Sequence, residues 1–344
     1  MRKINIGIVG LGRVASKTHI PVLKSIEDVE VVSGAESNGE RAERVKHLYR
    51  LRTVYSDYEE MYASEQLDGV YICLPHHLHA DASKKALERG IHVLCEKPMG
   101  MSPEEAAEIT DHAERRKLVL MPGYKMRYSK NYEKAKKMIK EGLLGKILQI
   151  QGTLITPGPY IAWDPKSDWH LDGRWHGAIY DVGCHIVDLL LYLVPNEVLT
   201  VSAVSQCGFT GYGAPTTVSC IFEMGNEIVG DLAISWRGAN DIQAISVHGT
   251  AGSITVNREY FAHIHPGTDL IDRILLHAGN TYLEVGNLVG KVIEKLGNKN
   301  FYAEDLIQAR RFIDAIKGNS PPPINGRDAT NIHKFLRMMT DSIA

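Results

Sequence analysis

Ile4-Asn5-Ile6-Gly7-Ile8-Val9-Gly10-Leu11-Gly12-Arg13-Val14-Ala15 is an apolar run that breaks into closely spaced glycines. Its first half has the composition of a strand buried on both faces. Its second half, G-x-G-x-x-A, is the dinucleotide fingerprint with alanine in the third place. There the glycines allow a tight turn, and backbone N–H groups meet a pyrophosphate at a helix N-terminus. Gly10, Gly12, Arg13 and Val14 are therefore expected at a cofactor. Val29-Glu30-Val31-Val32-Ser33-Gly34 reads as a second strand, with Glu36 and Ser37 just past its end. Glu36 stands 24 residues beyond Gly12, near the spacing of the acid that binds the adenosine ribose. A carboxylate there accepts from the ribose hydroxyls and repels a 2′-phosphate, so NAD is favoured; the nearby Arg41 keeps NADP open.

The alternation continues outward. A helix is expected over Arg41 to Tyr49, a short strand at Thr53-Val54-Tyr55 and a short helix from Asp57 to Tyr62. Asp68-Gly69-Val70-Tyr71-Ile72-Cys73-Leu74-Pro75 is a further strand aimed at the same edge. Leu74, Pro75, His76 and His79 are expected at the cofactor, with His76 near the nicotinamide ribose and His79 also opening the next helix. His76, His77 and His79 lack a spacing that gathers a full ligand set, so no metal is expected. A strand from His92 then ends in Cys95-Glu96-Lys97-Pro98. Charge at the end of a buried strand marks the carboxyl edge of a parallel sheet, where such sheets bind ligands. Glu96 and Lys97 are assigned to that edge, and Pro98 restricts the lysine to extended geometry. Ser102-Pro103-Glu104-Glu105 is a capping box with proline at the first helical position. Alternating strands and helices predict a right-handed, doubly wound Rossmann sheet over residues 1–123.

The rest, residues 124–344, is expected to be an α+β domain for substrate binding and oligomerisation. Its sheet is expected to be largely antiparallel and open, from the alternation between Val201 and Val256. Before it lies a loop from Pro157 to His176 carrying Trp163, Asp168, Trp169, His170 and Arg174. A long aromatic loop inside a compact domain is usually functional, so Trp163, Trp169 and His170 are expected at the substrate. Tyr180-Asp181-Val182-Gly183-Cys184-His185 follows and leads into an apolar helix. Asp181 and His185, four apart, share one face of the helix start. A carboxylate beside an imidazole raises its basicity, as removal of a hydroxyl proton requires. Segment 269–296 carries a helical apolar stripe suited to covering the sheet, meeting a partner subunit or lying on the substrate entrance.

With these pieces placed, the sequence resembles the glucose–fructose oxidoreductase / inositol dehydrogenase (Gfo/Idh/MocA) family. The resemblance rests on Gly7 to Gly12, His19-Ile20-Pro21, Asp68 to Ile72, Leu74-Pro75-His76-His77-Leu78-His79-Ala80, Gly90 to Pro98, Gly123-Tyr124-Lys125-Met126-Arg127 and Asn325-Gly326-Arg327-Asp328. It implies an NAD(P)-dependent dehydrogenase acting on a secondary alcohol of a sugar, polyol or nucleotide sugar. In that family the Asp-x-Gly-x-His pair lies opposite the Lys-Pro lysine. Lys97, Asp181 and His185 are thus the implied catalytic residues, and Arg127 an implied substrate contact. Two departures concern the pocket: the family usually has asparagine at His76, and often Gly-Gly where Trp175-His176-Gly177-Ala178 stands. The rival readings are a non-catalytic sensor of the same fold, which could afford to lose Lys97, Asp181 or His185, and an NADP-dependent imine or enone reductase.

Composition sets the outer bounds. The chain has 344 residues, 44% hydrophobic and 23% charged, with 39 Lys and Arg against 41 Asp and Glu. A net charge of −2 favours neither nucleic acid nor an anionic membrane. No stretch approaches the ~20 apolar residues of a membrane span. Five scattered cysteines without a C-x-x-C spacing, and no secretory signal, read as reduced thiols in a cytoplasmic protein. A homo-oligomer, dimer or tetramer, is expected.

Overall fold

The computed structural model describes residues 2–158, 172–207, 213–264 and 303–343. The chain forms two compact units, Met1–Lys125 with Tyr302–His333, and Met126–Phe301 with Lys334–Ala344.

The first unit is built on six parallel strands, β1 (Ile4–Val9), β2 (Val29–Ala35), β3 (Thr53–Tyr55), β4 (Gly69–Ile72), β5 (His92–Cys95) and β6 (Leu120–Pro122). Their order is β3-β2-β1-β4-β5-β6. The order reverses at β1, so a crevice opens between the carboxyl ends of β1 and β4. Ile6, Ile8 and Val9 are fully buried. Their run is continuous rather than alternating because helices cover both faces of a parallel sheet. After β1 the chain turns through the glycines into α1 (Ile20–Lys24), which is preceded by a π-helical segment, Ala15–His19. Next come α2 (Gly39–Tyr49), α3 (Tyr58–Ser64), α4 (His79–Glu88) and α5 (Pro103–Arg116). Capping fixes where these begin. The Asn38 side chain accepts from Arg41 N–H, and Asp57 from Glu59 and Glu60. The Ser102 hydroxyl accepts from Glu105 N–H, while the Glu105 carboxylate reaches back to Met101 N–H, one residue before the cap.

The unit is completed from the far end of the chain. The helix Ala303–Ile316 and the start of the last helix pack with the N-terminal strands. Phe312, fully buried, meets Tyr71 of β4 edge-on at 5.6 Å. A single cut at 123 therefore misplaces residues 302–333. Their apolar stripe marks a helix that needs a surface, but does not say which surface.

The second unit holds α6 (Lys130–Lys140), α7 (Cys184–Leu193) and seven strands, β7 (Ile147–Ile155), β8 (Val198–Gln206), β9 (Thr217–Met224), β10 (Ile228–Ser235), β11 (Ile242–Gly249), β12 (Gly252–Val256) and β13 (Phe261–Ile264). The order is β13-β12-β11-β7-β10-β9-β8, and β7 with β10 is its parallel pair. Val218, Cys220, Phe222 and Met224 of β9 point inward; Ser219, Ile221 and Glu223 point out. That alternation is the mark of a sheet with one packed face. α8 (Ala303–Ile316) belongs to the first unit, and the end of α9 (Gly326–Ser342) to the second. There Phe335 closes on Phe222 with ring centroids 4.9 Å apart. Trp163, Asp168, Trp169, His170 and the stripe of 269–296 lie outside the described residues. Among the described residues no helix is long and apolar enough to cross a membrane.

Candidate active site

At the β1–β4 crevice the backbone is shaped for close approach. Gly10 has φ +83°, and a Cβ there would stand 2.6 Å from the Cys73 carbonyl oxygen at the end of β4. Only glycine satisfies both constraints. A Cβ on Gly12 would meet nothing within 4 Å. The space beside Gly12, with exposed Arg13 and Val14 at the helix start, leaves the backbone open to a diphosphate.

Glu36 ends β2 and is buried. Its Oε2 accepts from Leu11 N–H at 3.0 Å, inside the glycine turn, and its Oε1 from Asn38 N–H at 2.9 Å. Arg41 donates to both oxygens, through Nε at 2.8 Å and Nη2 at 2.9 Å. Burial pushes the carboxyl pKa up, but Arg41 and the two backbone donors outweigh it and hold it below its usual range. Glu36 and Arg41 thus form one charged pair at the place where the ribose is expected, with exposed Ser37 next to it. These features fit an adenine dinucleotide.

The strand-end residues divide into two groups. Leu74, Pro75 and His76 follow β4 at the crevice. His79, by contrast, is fully enclosed. Its Nδ1 faces the Pro98 carbonyl and its Nε2 the Leu74 carbonyl, both at 2.7 Å. Burial depresses its pKa, against two carbonyls that favour the charged ring. Both ring nitrogens thus face backbone carbonyls, and His79 ties the β4 end to the Lys97-Pro98 turn. Glu96 is likewise turned inward. Its Oε1 lies 2.7 Å from Nε2 of His19, and its Oε2 accepts from Lys97 N–H at 3.2 Å. Despite burial, the His19 hydrogen bond and the charges of His19, Lys125 and Lys97 hold its pKa to about 2. Lys97 itself is half-buried at the carboxyl end of β5, before a cis peptide to Pro98. Among the described residues no group of His, Cys, Asp and Glu is arranged to hold a metal ion.

In the second unit, Asp181 sits in a π-helical segment, Ile179–Gly183, that runs directly into α7. His185 lies in the first turn of α7, four residues on. π segments are rare and recur at functional sites. Asp181 is buried, and its Oδ2 accepts from the indole N–H of Trp236 at 3.2 Å. Trp236 was not singled out from the sequence. The available signal is its inward parity with Leu232 and Ile234 on β10, because a buried indole N–H needs an acceptor. Arg127 is fixed in the same unit. Its Nε and Nη2 lie 2.8 and 2.6 Å from Asp188 Oδ1 on α7, and its guanidinium lies over the Tyr192 ring at 5.1 Å. Asp188 and Arg127 are both buried. The arginine thus anchors the helix that carries His185.

Residues 4–124 match the oxidoreductase family with an NAD-binding Rossmann fold, and residues 132–255 match the GFO/IDH/MocA C-terminal domain. The chain belongs to the Gfo/Idh/MocA family of NAD-binding oxidoreductases. It is 24% identical over 333 residues to myo-inositol 2-dehydrogenase of Thermotoga maritima, covering 94% of this chain and 92% of that one. Levoglucosan dehydrogenase of Pseudarthrobacter phenanthrenivorans is 27% identical over 306 residues, 75% of each chain. The fold matches the WlbA dehydrogenase from Bordetella pertussis, solved with NADH and UDP-GlcNAcA, at a TM-score of 0.85 and 20% identity over 99% of this chain and 95% of that one.

Proposed function

We propose that this family member interconverts a secondary alcohol and a ketone on a sugar, an inositol-like polyol or a nucleotide sugar. The observation that carries the reading is the Asp181–His185 pair, with the aspartate fixed by the Trp236 indole one turn ahead of an imidazole. A carboxylate one turn ahead of an imidazole is placed to orient it. His185 then takes the proton of the substrate hydroxyl in oxidation and returns it in reduction. The family resemblance gives Lys97 the part of a donor to the reacting oxygen, where it would stabilise developing charge. When bound, the nicotinamide exchanges a hydride with the carbinol carbon. The presence of all three side chains supports an enzyme over a sensor of the same fold, and the relatives' names support a sugar or polyol.

The outward face of the second sheet supports a homo-oligomer. Val204 on β8, Ile221 on β9, Val229 on β10 and Ile242 on β11 lie on one side and are each at least half exposed. The five cysteines, all free thiols, fit a reducing cytoplasm.

The test is turnover. The protein with NAD and a panel of polyols, sugars and nucleotide sugars is followed by nicotinamide absorbance. Lys97→Ala, Asp181→Asn and His185→Ala are expected to keep NAD binding and lose turnover. His185→Ala should cost about 10²–10⁴-fold, roughly 3–5 kcal/mol of barrier. Asp181→Asn should cost less, because the aspartate acts through the imidazole. Oxidation should speed up with pH through one group near neutrality, a limb that disappears in His185→Ala. Wild-type turnover in His185→Ala would reject the assignment.

A further inference from the structure

The turn Glu96-Lys97-Pro98 is fastened at three points within the first unit. Glu96 Oε1 meets His19 Nε2, Glu96 Oε2 takes the Lys97 N–H, and the Pro98 carbonyl faces His79 Nδ1. The His19 side chain is 3% exposed and that of Glu96 16%. An ionised carboxylate can only accept, so His19 Nε2 carries the hydrogen between them. The imidazole packs on Tyr71 with ring centroids 5.1 Å apart, which fixes its plane.

Every charged or titratable group around Glu96 comes from a different element. Lys97 lies on its own turn. Lys125 follows β6 and is shared with Asp305 of α8, its Nζ 2.9 and 3.0 Å from the two carboxylate oxygens. His79 comes from α4, and the thiols Cys73 and Cys95 from the ends of β4 and β5. Burial and the nearby Glu96 charge push the Cys73 thiol well up, so it stays neutral. Burial pushes Cys95 up to about 12. Glu96 is therefore the anion that His19 and Lys97 both draw on, through different carboxylate oxygens, with Lys125 already engaged by Asp305.

We propose that Glu96 and His19 are positioning residues for Lys97: the carboxylate holds the lysine's backbone and keeps its amine charged, and His19 shares that carboxylate with the lysine. This rests on the reading of Lys97 as the group on the substrate oxygen. It differs from a packing role in predicting two changes of opposite sign. Glu96→Gln removes a buried negative charge, and Lys97 should release its proton more easily. His19→Phe keeps a planar ring against Tyr71 but removes the competing donor, so the carboxylate should act more fully on Lys97 and hold the proton more tightly.

Acylation of Lys97 by acetic anhydride, followed by mass spectrometry across pH, reads the amine directly. The expected midpoint falls by about one pH unit in Glu96→Gln and rises in His19→Phe. The alkaline limb of kcat should move in the same directions. Shifts of one sign in both variants, or none, would overturn the proposal. Should Glu96→Gln fail to fold, His19→Phe decides alone, since an unmoved or lowered midpoint contradicts shared charge. Lys97→Ala separates this from the assigned chemistry. Unimpaired turnover there would remove Lys97 from the reaction, yet leave the labelling midpoints to stand or fall by themselves.

Discussion

Glu36 shows how one residue serves two purposes. Its position after β2 follows from the sequence. Its burial and its bonds to Leu11 and Asn38 appear only in the fold. The same carboxylate braces the glycine turn and stands where the ribose is expected. Glu36→Ala is expected to weaken NAD binding and to narrow its advantage over NADP, because Arg41 loses its carboxylate and becomes available to a 2′-phosphate. Calorimetry with both cofactors checks this; NADP binding more tightly than NAD in the wild type would contradict it. Glu96 and His79 teach the converse. Both stand in motifs that read as ligand contacts, and both are turned inward onto His19, Pro98 and Leu74. A single sequence shows that a polar side chain lies near an edge; it does not show which way the side chain points.

At the scale of elements, two π-helical segments adjoin the stretches assigned to the cofactor and to proton transfer, Ala15–His19 after the glycine turn and Ile179–Gly183 before α7. Neither was legible, because the apolar pattern of a single wide turn merges with that of the helix it joins. The apolar run of α7 was legible as a buried helix. Its anchoring was not, since Arg127 and Asp188 are 61 positions apart. Arg127→Met leaves Asp188 charged and buried, and is expected to cost about 3–5 kcal/mol in urea unfolding. Trp236→Phe keeps the ring packing but removes the donor to Asp181. It should lower kcat about tenfold with NAD affinity unchanged, a smaller loss than His185→Ala.

For the whole molecule, acid stability and assembly are the expected observables. Glu96 is held to about 2 in the folded chain, below its ordinary value of 4.5. A depressed carboxyl stabilises the fold above its unfolded pKa, and that stability is lost as pH falls from about 4.5 toward 2. Glu96→Gln should therefore flatten the acid limb of thermal stability in that window, read by calorimetry at successive pH values. For the proposed homo-oligomer, the outward aliphatic face of β8, β9, β10 and β11 is the expected interface. Ile221→Lys, at a position 63% exposed, should leave the melting temperature of the subunit nearly unchanged but reduce the mass seen by light scattering. An unaltered mass would place the interface elsewhere.

The sequence by itself determined the doubly wound sheet, the cofactor turn, the antiparallel second sheet and the family. These are written in local signals: glycine spacing, hydrophobic period and caps act over a few residues, and each is a short-range steric or hydrogen-bonding constraint. Only the tertiary structure decided that residues 302–333 return to the first unit, that His19 holds Glu96, that Trp236 holds Asp181 and that Arg127 belongs to Asp188. Each of these pairings joins residues dozens of positions apart. A buried polar group must find a partner, but the chain's path through space, not its order, selects which one.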